Sequence, residues 1–307
     1  MTATAGLALR CLALDALAVD TSDLLRLYGS DSMLLKGAGL AHRLGTDRLY
    51  GDVDLLVAPA SIAAVRDVLN CAGYRMQLPA ELYDAAASWH EQPWWAPGPV
   101  PLTVDLHRSF AGVGDHDALW RLLRAGAEAL DLAGGSVLIP DDAGTALLAA
   151  LHAASPAGFA KPARDLERAL AVLPPQAWEA AGRLAVDCDA MLAFAVGLRL
   201  LPAGEAVATR LGLSSTAGPS STWLAARLAS STSVGLARLT ELSGPRGALR
   251  SLAREVLPLP VHMRQIDTGA RRGRRGLLWA YVRRIARHTR HLPWALRDLR
   301  TARRRSC

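Results

Sequence analysis

Lys36-Gly-Ala-Gly39, followed by Arg48-Leu-Tyr-Gly-Asp52-Val-Asp54-Leu-Leu-Val57, is the stretch whose reading decides the fold. Ser32-Met-Leu-Leu-Lys36 is short and apolar, Gly37-Ala-Gly39 ends it, and Leu40-Ala-His-Arg-Leu44 then reads as a short helix. The order is strand, glycine turn, helix. Asp52-Val-Asp54-Leu-Leu-Val57 reads as a second strand, closed by Pro59. Side chains alternate along a strand, so carboxylates at i and i+2 share a face with Cβ atoms about 6–7 Å apart. The apolar residues that follow predict burial, and two buried like charges are costly unless a cation lies between them. Divalent magnesium, a hard ion that prefers oxygen ligands, meets that need.

Working outward, Leu102-Thr-Val-Asp105-Leu-His107 is a further strand that puts Thr103, Asp105 and His107 on one side. If the two strands are neighbours, Asp105 joins Asp52 and Asp54, and three carboxylates suffice for one or two Mg²⁺. Two such ions about 3.5–4 Å apart activate an attacking hydroxyl and steady a leaving phosphate. A long first helix is expected from Ala5 to about Tyr28, a second from about Ser61 to Cys71, and a strand from Tyr74 to Leu78. Trp89 to Trp95 and Pro97 to Pro101 read as loop because of their prolines. Beyond Gly134 one short strand, Ser136 to Ile139, gives way to helices. One starts at Pro140-Asp-Asp142, carries His152 and breaks at Ala154-Ser-Pro-Ala-Gly158. Others run from Lys161 to Leu173, from Gln176 to Leu201 and within 223–260, with a Gly/Pro/Ser/Thr-rich linker at 214–222.

These motifs resemble the nucleotidyltransferases of the DNA polymerase beta-like superfamily, and within it a bacterial branch with a KG…R…GDxDLLV…VDLH pattern. Some members of that branch accompany peptide natural-product gene clusters. The resemblance covers roughly residues 30–170. It implies an α/β nucleotidyltransferase core, a small mixed sheet flanked by helices, followed by an all-α C-terminal domain. The expected division is 1–139 for the nucleotidyltransferase α/β domain and 140–213 for a helical domain that completes the cleft. Residues 214–270 are then linker and further helices, and 271–307 an arginine-rich amphipathic tail.

The resemblance implies Mg²⁺-dependent transfer of an NMP group from NTP to a hydroxyl or similar acceptor, with release of pyrophosphate. Asp52 and Asp54 would bind metal and triphosphate, while Asp105 would ligate the catalytic metal and help deprotonate the acceptor. Gly37 would be the turn glycine, its following amides facing phosphate oxygens. The superfamily usually has Ser after this glycine, whereas Ala38 stands here, so Lys36 or Arg48 is left to supply the contact to phosphate. A peptide natural product, a small molecule and tRNA all remain open as acceptor.

Several residues carry two readings. His107 either orders the Asp105 carboxylate or meets substrate, or it is a satisfied structural histidine. His152 is either a core histidine of an apolar helix or a group at the substrate. Lys161 and Asp165, four apart on a helix, form either a surface ion pair or a cleft site in which Lys161 reaches the triphosphate. Trp89, His90, Trp94 and Trp95 either stack on a base or pack their loop onto the body. Asp141-Asp142 reads as a helix cap and Asp187-Cys-Asp189 as no metal site.

Composition bounds the rest. The 307 residues are 51% hydrophobic, which is ample for a core and excludes disorder or a disulfide scaffold as overall descriptions. Cys11, Cys71, Cys188 and Cys307 are scattered without metal or redox spacing, and no apolar run approaches the ~20 residues of a membrane span. Asp15 and Asp20 interrupt the N-terminal apolar run, so no signal peptide is read and the expectation is a cytoplasmic protein. The net charge of +7 is unevenly spread. Residues 271–305 hold thirteen arginines and one acid, +12, which leaves −5 for residues 1–270. Only Lys36 and Lys161 are lysine. The tail docks on the protein's own acidic body, neutralises RNA phosphates, or lies on an anionic membrane surface. A non-catalytic scaffold or RNA-binding protein that keeps the fold is the alternative to the enzyme.

Overall fold

The computed structural model describes residues 3–46, 49–78, 90–155, 160–213, 231–241, 257–260, 263–264 and 267–305. Contacts divide the chain into two units, Met1–Ala153 with Ala160–Gly212, and Ala154–Phe159 with Leu213–Cys307.

The first unit is built on a seven-stranded mixed sheet. Its strands are β1 (Ser32–Leu34), β2 (Val53–Val57), β3 (Arg75–Met76), β4 (Glu91–Trp95), β5 (Thr103–His107), β6 (Glu128–Leu132) and β7 (Gly135–Ile139). Their spatial order is β3-β4-β5-β2-β1-β7-β6. β2 runs antiparallel to β1 and parallel to β5, so the two acid-bearing strands are neighbours at the centre. Helices α1 (Ala3–Leu27) and α3 (Ile62–Cys71) cover one face. Leu14, Ala18 and Leu25 of α1 and Val65 and Leu69 of α3 share a core with Val53, Leu55, Val57, Val104, Leu106, Val137 and Ile139. Alternation does the sorting. In β2 the odd-numbered apolar residues enter that core, which turns Asp52 and Asp54 to the other face.

The glycine turn after β1 is used as the sequence reading expects. Gly37 adopts φ 60°, ψ −128°, a conformation open to glycine alone, and leads into α2 (Ala38–Leu44). A Cβ at Gly39 would come within 2.8 Å of the Ile139 side chain, so this glycine lets α2 approach β7.

Two expectations need correction. Glu91–Trp95 is a strand, not a loop, although Pro93 stands at its centre. Pro93 pairs with Asp105 across β5, and its carbonyl accepts from Gln77 N–H on the β3 side. N and C=O of one residue point the same way in an antiparallel strand, so the missing N–H faces the side where β3 has ended and no β4–β5 ladder bond is lost. The expected helix over 176–201 is two helices, Pro175–Asp187 and Met191–Leu198. Asp189 breaks them at φ 51°, and the carbonyls of Cys188 and Asp189 accept from Asp115 and Gly114. Aspartate tolerates the left-handed region, and these tertiary bonds hold the break. The strand read from Ser136 to Ile139 is found at Gly135–Ile139. It forms a hairpin with β6 through Ala133 and Gly134, both at positive φ, the geometry of a two-residue turn that matches strand twist.

After β5 come α4 (His116–Ala125) and, beyond β7, α5 (Asp142–Ala154), α6 (Ala160–Val172), α7 (Pro175–Asp187), α8 (Met191–Leu198) and α9 (Pro202–Arg210). The Asp141 carboxylate accepts from Gly144 N–H at 2.7 Å and so caps α5, as its sequence implies.

In the second unit, α10 (Ser231–Glu241) and the long α11 (Gly273–Arg305) are described. Ser233 donates to Asp298 at 2.7 Å, and Ala270 and Ala280 pack with Met263. The linker expected at 214–222 lies outside the described residues, as does most of 223–260. No described helix is long and apolar enough to cross a membrane.

Candidate active site

The face of β2 and β5 turned away from the α1/α3 core carries the acids. Asp54 and Asp105 are direct partners in the parallel ladder, and His107 stands opposite Leu56. Asp52 lies in the bend just ahead of β2, half-buried, and its charge acts on both Lys36 and Asp105, which places it by the same face. Asp54 is 3% exposed, and Asp105 is half-buried. The three acids of the sequence reading thus belong to one face of two adjacent strands.

A turn brings Lys36 to this face. The N–H of Leu35 donates to Asp54 C=O at 3.0 Å, which extends the β1–β2 pairing one residue past β1. Lys36 Nζ then donates to Asp54 Oδ1 at 2.6 Å, and His107 Nε2 lies 2.9 Å from the same oxygen. An ammonium and an imidazole thus meet at one oxygen of the buried carboxylate. His107 sits beside Asp54, while ordering Asp105 is one of the three readings that the sequence leaves open for it. It is 3% exposed and stacks on Phe110 at 5.5 Å. Glu91, paired with His107 across β4 and β5, brings Oε2 to 3.6 Å from Nε2. Sequence reading misses Glu91 because Pro93 marks its stretch as loop, and Glu91-Gln-Pro-Trp-Trp95 has no alternation of polar and apolar residues to signal the strand. The alternation of buried Gln92 and Trp94 with more exposed Glu91, Pro93 and Trp95 exists only in the fold.

Electrostatics follow from this crowding. Burial pushes the Asp54 carboxyl up, but Lys36 and His107 outweigh it and hold the group well below the usual carboxylate range. Burial pushes Lys36 down, and Asp54, with Glu91 and Asp52, more than compensates and leaves its ammonium above the ordinary value. Asp105 goes the other way. Burial and then the Asp54 charge push it up to about 7, with His107 opposing and Asp52 and Glu91 adding to the rise.

Lys36 also lines a small cleft with Leu40, Phe110, Thr145, His152 and Asp165. The structure thus joins Lys36 to His152 on α5 and Asp165 on α6. Lys161 is in the first turn of α6, and its side chain lies outside the described residues, as do Arg48 and Trp89. Trp94 is wholly buried and belongs to the core, while Trp95 is 41% exposed.

The loop that leads to Asp52 is held from behind. The Tyr50 hydroxyl donates to Asp15 of α1, and Arg10 donates to Gly51 C=O at 3.2 Å. A Cβ at Gly37 would lie 3.4 Å from the Tyr50 ring, so that ring lies against both the glycine turn and the acid loop.

Among the described residues no three His, Cys, Asp or Glu side chains are gathered as a metal site. The donor set nevertheless fits a hard divalent ion. Asp52, Asp54 and Asp105 offer only carboxylate oxygen, the donor that such an ion takes, and Asp54 and Asp105 are direct ladder partners.

No curated protein matches the chain. Among solved structures, it is similar to lincosamide antibiotic adenylyltransferase LnuA with lincomycin bound. The identity is 11%, the match covers 49% of this chain and 92% of that one, and the TM-score is 0.33. The family described as uncharacterised nucleotidyltransferase matches residues 2–202, which takes in the whole sheet, the acid-bearing strands and the cleft. The chain belongs to this nucleotidyltransferase family and is an enzyme of the class that transfers nucleoside monophosphate groups.

Proposed function

We propose that the protein moves an NMP group from an NTP to a hydroxyl or similar nucleophile in a Mg²⁺-dependent reaction that releases pyrophosphate. The observation that carries this reading is the ladder pairing of Asp54 with Asp105, with Asp52 two residues away on the same face. In this reading Asp52, Asp54 and Asp105 hold one or two Mg²⁺, which when bound neutralise the triphosphate and lower the pKa of the attacking hydroxyl. Asp105 also takes the acceptor proton. Lys36, the Gly37 turn, Arg48 and Lys161 bind the triphosphate. His107 fixes Asp54 by its 2.9 Å contact, and His152 and Asp165 form the substrate wall of the cleft. Residues 1–139 supply the catalytic sheet and 140–213 complete the cleft, a division supported by its lining from both segments. The free thiols at Cys11, Cys71 and Cys188 support action in the reducing cytoplasm of a bacterial cell.

The test is label transfer from NTP by Asp52→Asn with Asp54→Asn, assayed against a peptide natural product, a small-molecule and a tRNA acceptor panel. Loss of transfer with an unchanged circular-dichroism spectrum is expected. Wild-type transfer by the double variant would remove the proposal. A thermal-shift panel of the four NTPs, with and without Mg²⁺, identifies the base.

The tail partner in this reading is an anionic membrane surface. Leu278, Val282, Ile285, Leu292 and Leu296 of α11 follow helical spacing, and all are exposed, as are Trp279 and Trp294. Two +12 tails repel one another, which disfavours a second copy, and an apolar stripe beside arginines suits lipid better than RNA phosphates. Flotation of the full chain with vesicles containing phosphatidylglycerol, and its loss in Leu278→Ser with Ile285→Ser, is the expected result. Salt-sensitive RNA binding that ignores those substitutions would favour RNA instead.

A further inference from the structure

Asp54 is the most buried of the three acids, and both of its recorded side-chain partners, Lys36 Nζ and His107 Nε2, meet the single oxygen Oδ1. A divalent ion shared by Asp54 and Asp105 needs the same region of space, because their Cα atoms are ladder partners on adjacent strands. Ammonium and metal carry like charge and draw on one carboxylate. Each therefore weakens the hold of the other on it.

From this we infer that Lys36 is a tethered competitor of the metal: its ammonium holds Asp54 in the nucleotide-free enzyme and leaves it when a divalent ion enters. The inference rests on the metal-binding reading of these acids given above. Three observations make the exchange feasible. The Lys36 side chain is 18% exposed, so it is not locked in the core. It follows β1 and immediately precedes the Gly37 turn, outside the regular ladder. It also borders the cleft with Thr145, His152 and Asp165, which gives the released ammonium a place next to the proposed triphosphate. A lysine suits this task better than an arginine, since a compact ammonium on a flexible stem makes and breaks a point contact without a fixed fork. In a chain with 33 arginines and two lysines, the residue at this position is a lysine.

The exchange has a consequence for binding order. A free divalent ion must displace Lys36 from Asp54, whereas an ion arriving with NTP brings phosphate oxygens that receive the released ammonium. Metal alone therefore binds weakly and metal with nucleotide binds well.

Two measurements on the full chain test this. The first is the Mn²⁺ affinity without nucleotide, read from the electron paramagnetic resonance of free Mn²⁺, for wild type and Lys36→Met. Tighter binding by the variant, by roughly tenfold, is expected; equal or weaker binding overturns the inference. The second uses wild type alone and so does not depend on the variant folding. Pulse acetylation followed by peptide mass spectrometry reads two lysines only, with Lys161 as internal reference. Lys36 should acetylate slowly in chelator and several-fold faster at saturating Mn²⁺ without nucleotide, relative to Lys161. No change in that ratio while Mn²⁺ is bound overturns the inference. Failure of the underlying reading is seen separately, as an absence of Mn²⁺ binding by both proteins together with no NMP transfer.

Discussion

On one face of the β2–β5 pair, Val53, Leu55, Val57, Val104 and Leu106 are buried against α1 and α3. On the other, Asp52, Asp54, Asp105 and His107 stand at the alternate positions of the same strands. The first face is held by apolar burial, which is non-directional and tolerates exchange of similar shapes. The second is held by charge: Lys36 and His107 on one oxygen of Asp54, and an Asp105 whose proton affinity is raised by burial and then by the Asp54 charge. Both faces have the same backbone register. In the proposed function, what separates them is that removing a group from the apolar face costs stability, and removing one from the charged face costs chemistry.

Substitutions on the two faces should therefore divide cleanly, and the largest effect belongs to the charged one. Asp105→Asn is expected to lower NMP transfer by about 10³-fold or more while the thermal midpoint moves little, because burial and the Asp54 charge already disfavour the charged form of this carboxyl. Label transfer and differential scanning calorimetry measure the two. A large loss of stability together with activity would make Asp105 a structural residue and erase the contrast. Leu55→Ala, on the neighbouring strand and fully buried, should do the reverse. It is expected to cost about 3 kcal/mol in a urea titration, with activity per folded molecule retained.

Smaller effects sharpen the border between the faces. Tyr50→Phe removes the hydroxyl that bonds Asp15 behind the acid loop and should cost about 1 kcal/mol. Transfer should fall in the same variant, because Tyr50 lies against both the Gly37 turn and the segment leading to Asp52. The smallest expected effect is a pH slope. His116 Nδ1 lies 2.6 Å from Ser109 Oγ, just past β5, and burial, followed by the Arg108 charge, holds its imidazole below the ordinary 6.5. The unfolded chain then takes up this proton at a higher pH than the folded one. The contribution of His116 to stability is complete above pH 6.5 and declines as pH falls through the depressed folded value. His116→Asn should flatten that slope in thermal midpoints between pH 5 and 7, and an unchanged slope would assign it to another group.

Much of the site was legible because alternation is a local property. Asp52-Val-Asp54 in an apolar run and Thr103-Val-Asp105-Leu-His107 each declare which side chains share a face, whatever the rest of the chain does. The Gly37 turn was legible for a similar reason, since its backbone needs a residue without Cβ. Glu91 was not legible, because Pro93 argued for a loop and only the early end of β3 makes a proline harmless there. The break at Asp189 was hidden too, since the bonds that hold it come from Gly114 and Asp115, more than seventy residues earlier.

The sequence by itself determined the strand carrying Asp52 and Asp54, the strand carrying Asp105, the glycine turn and the arginine-rich final helix. These follow from periodicity and from backbone sterics, which act over a few residues. Only the tertiary structure decided that Asp54 faces Asp105, that His107 lies beside Asp54, and that one of two lysines donates to the same oxygen of Asp54. Strand order and side-chain reach are set by which surfaces bury one another, and a linear pattern does not contain that choice.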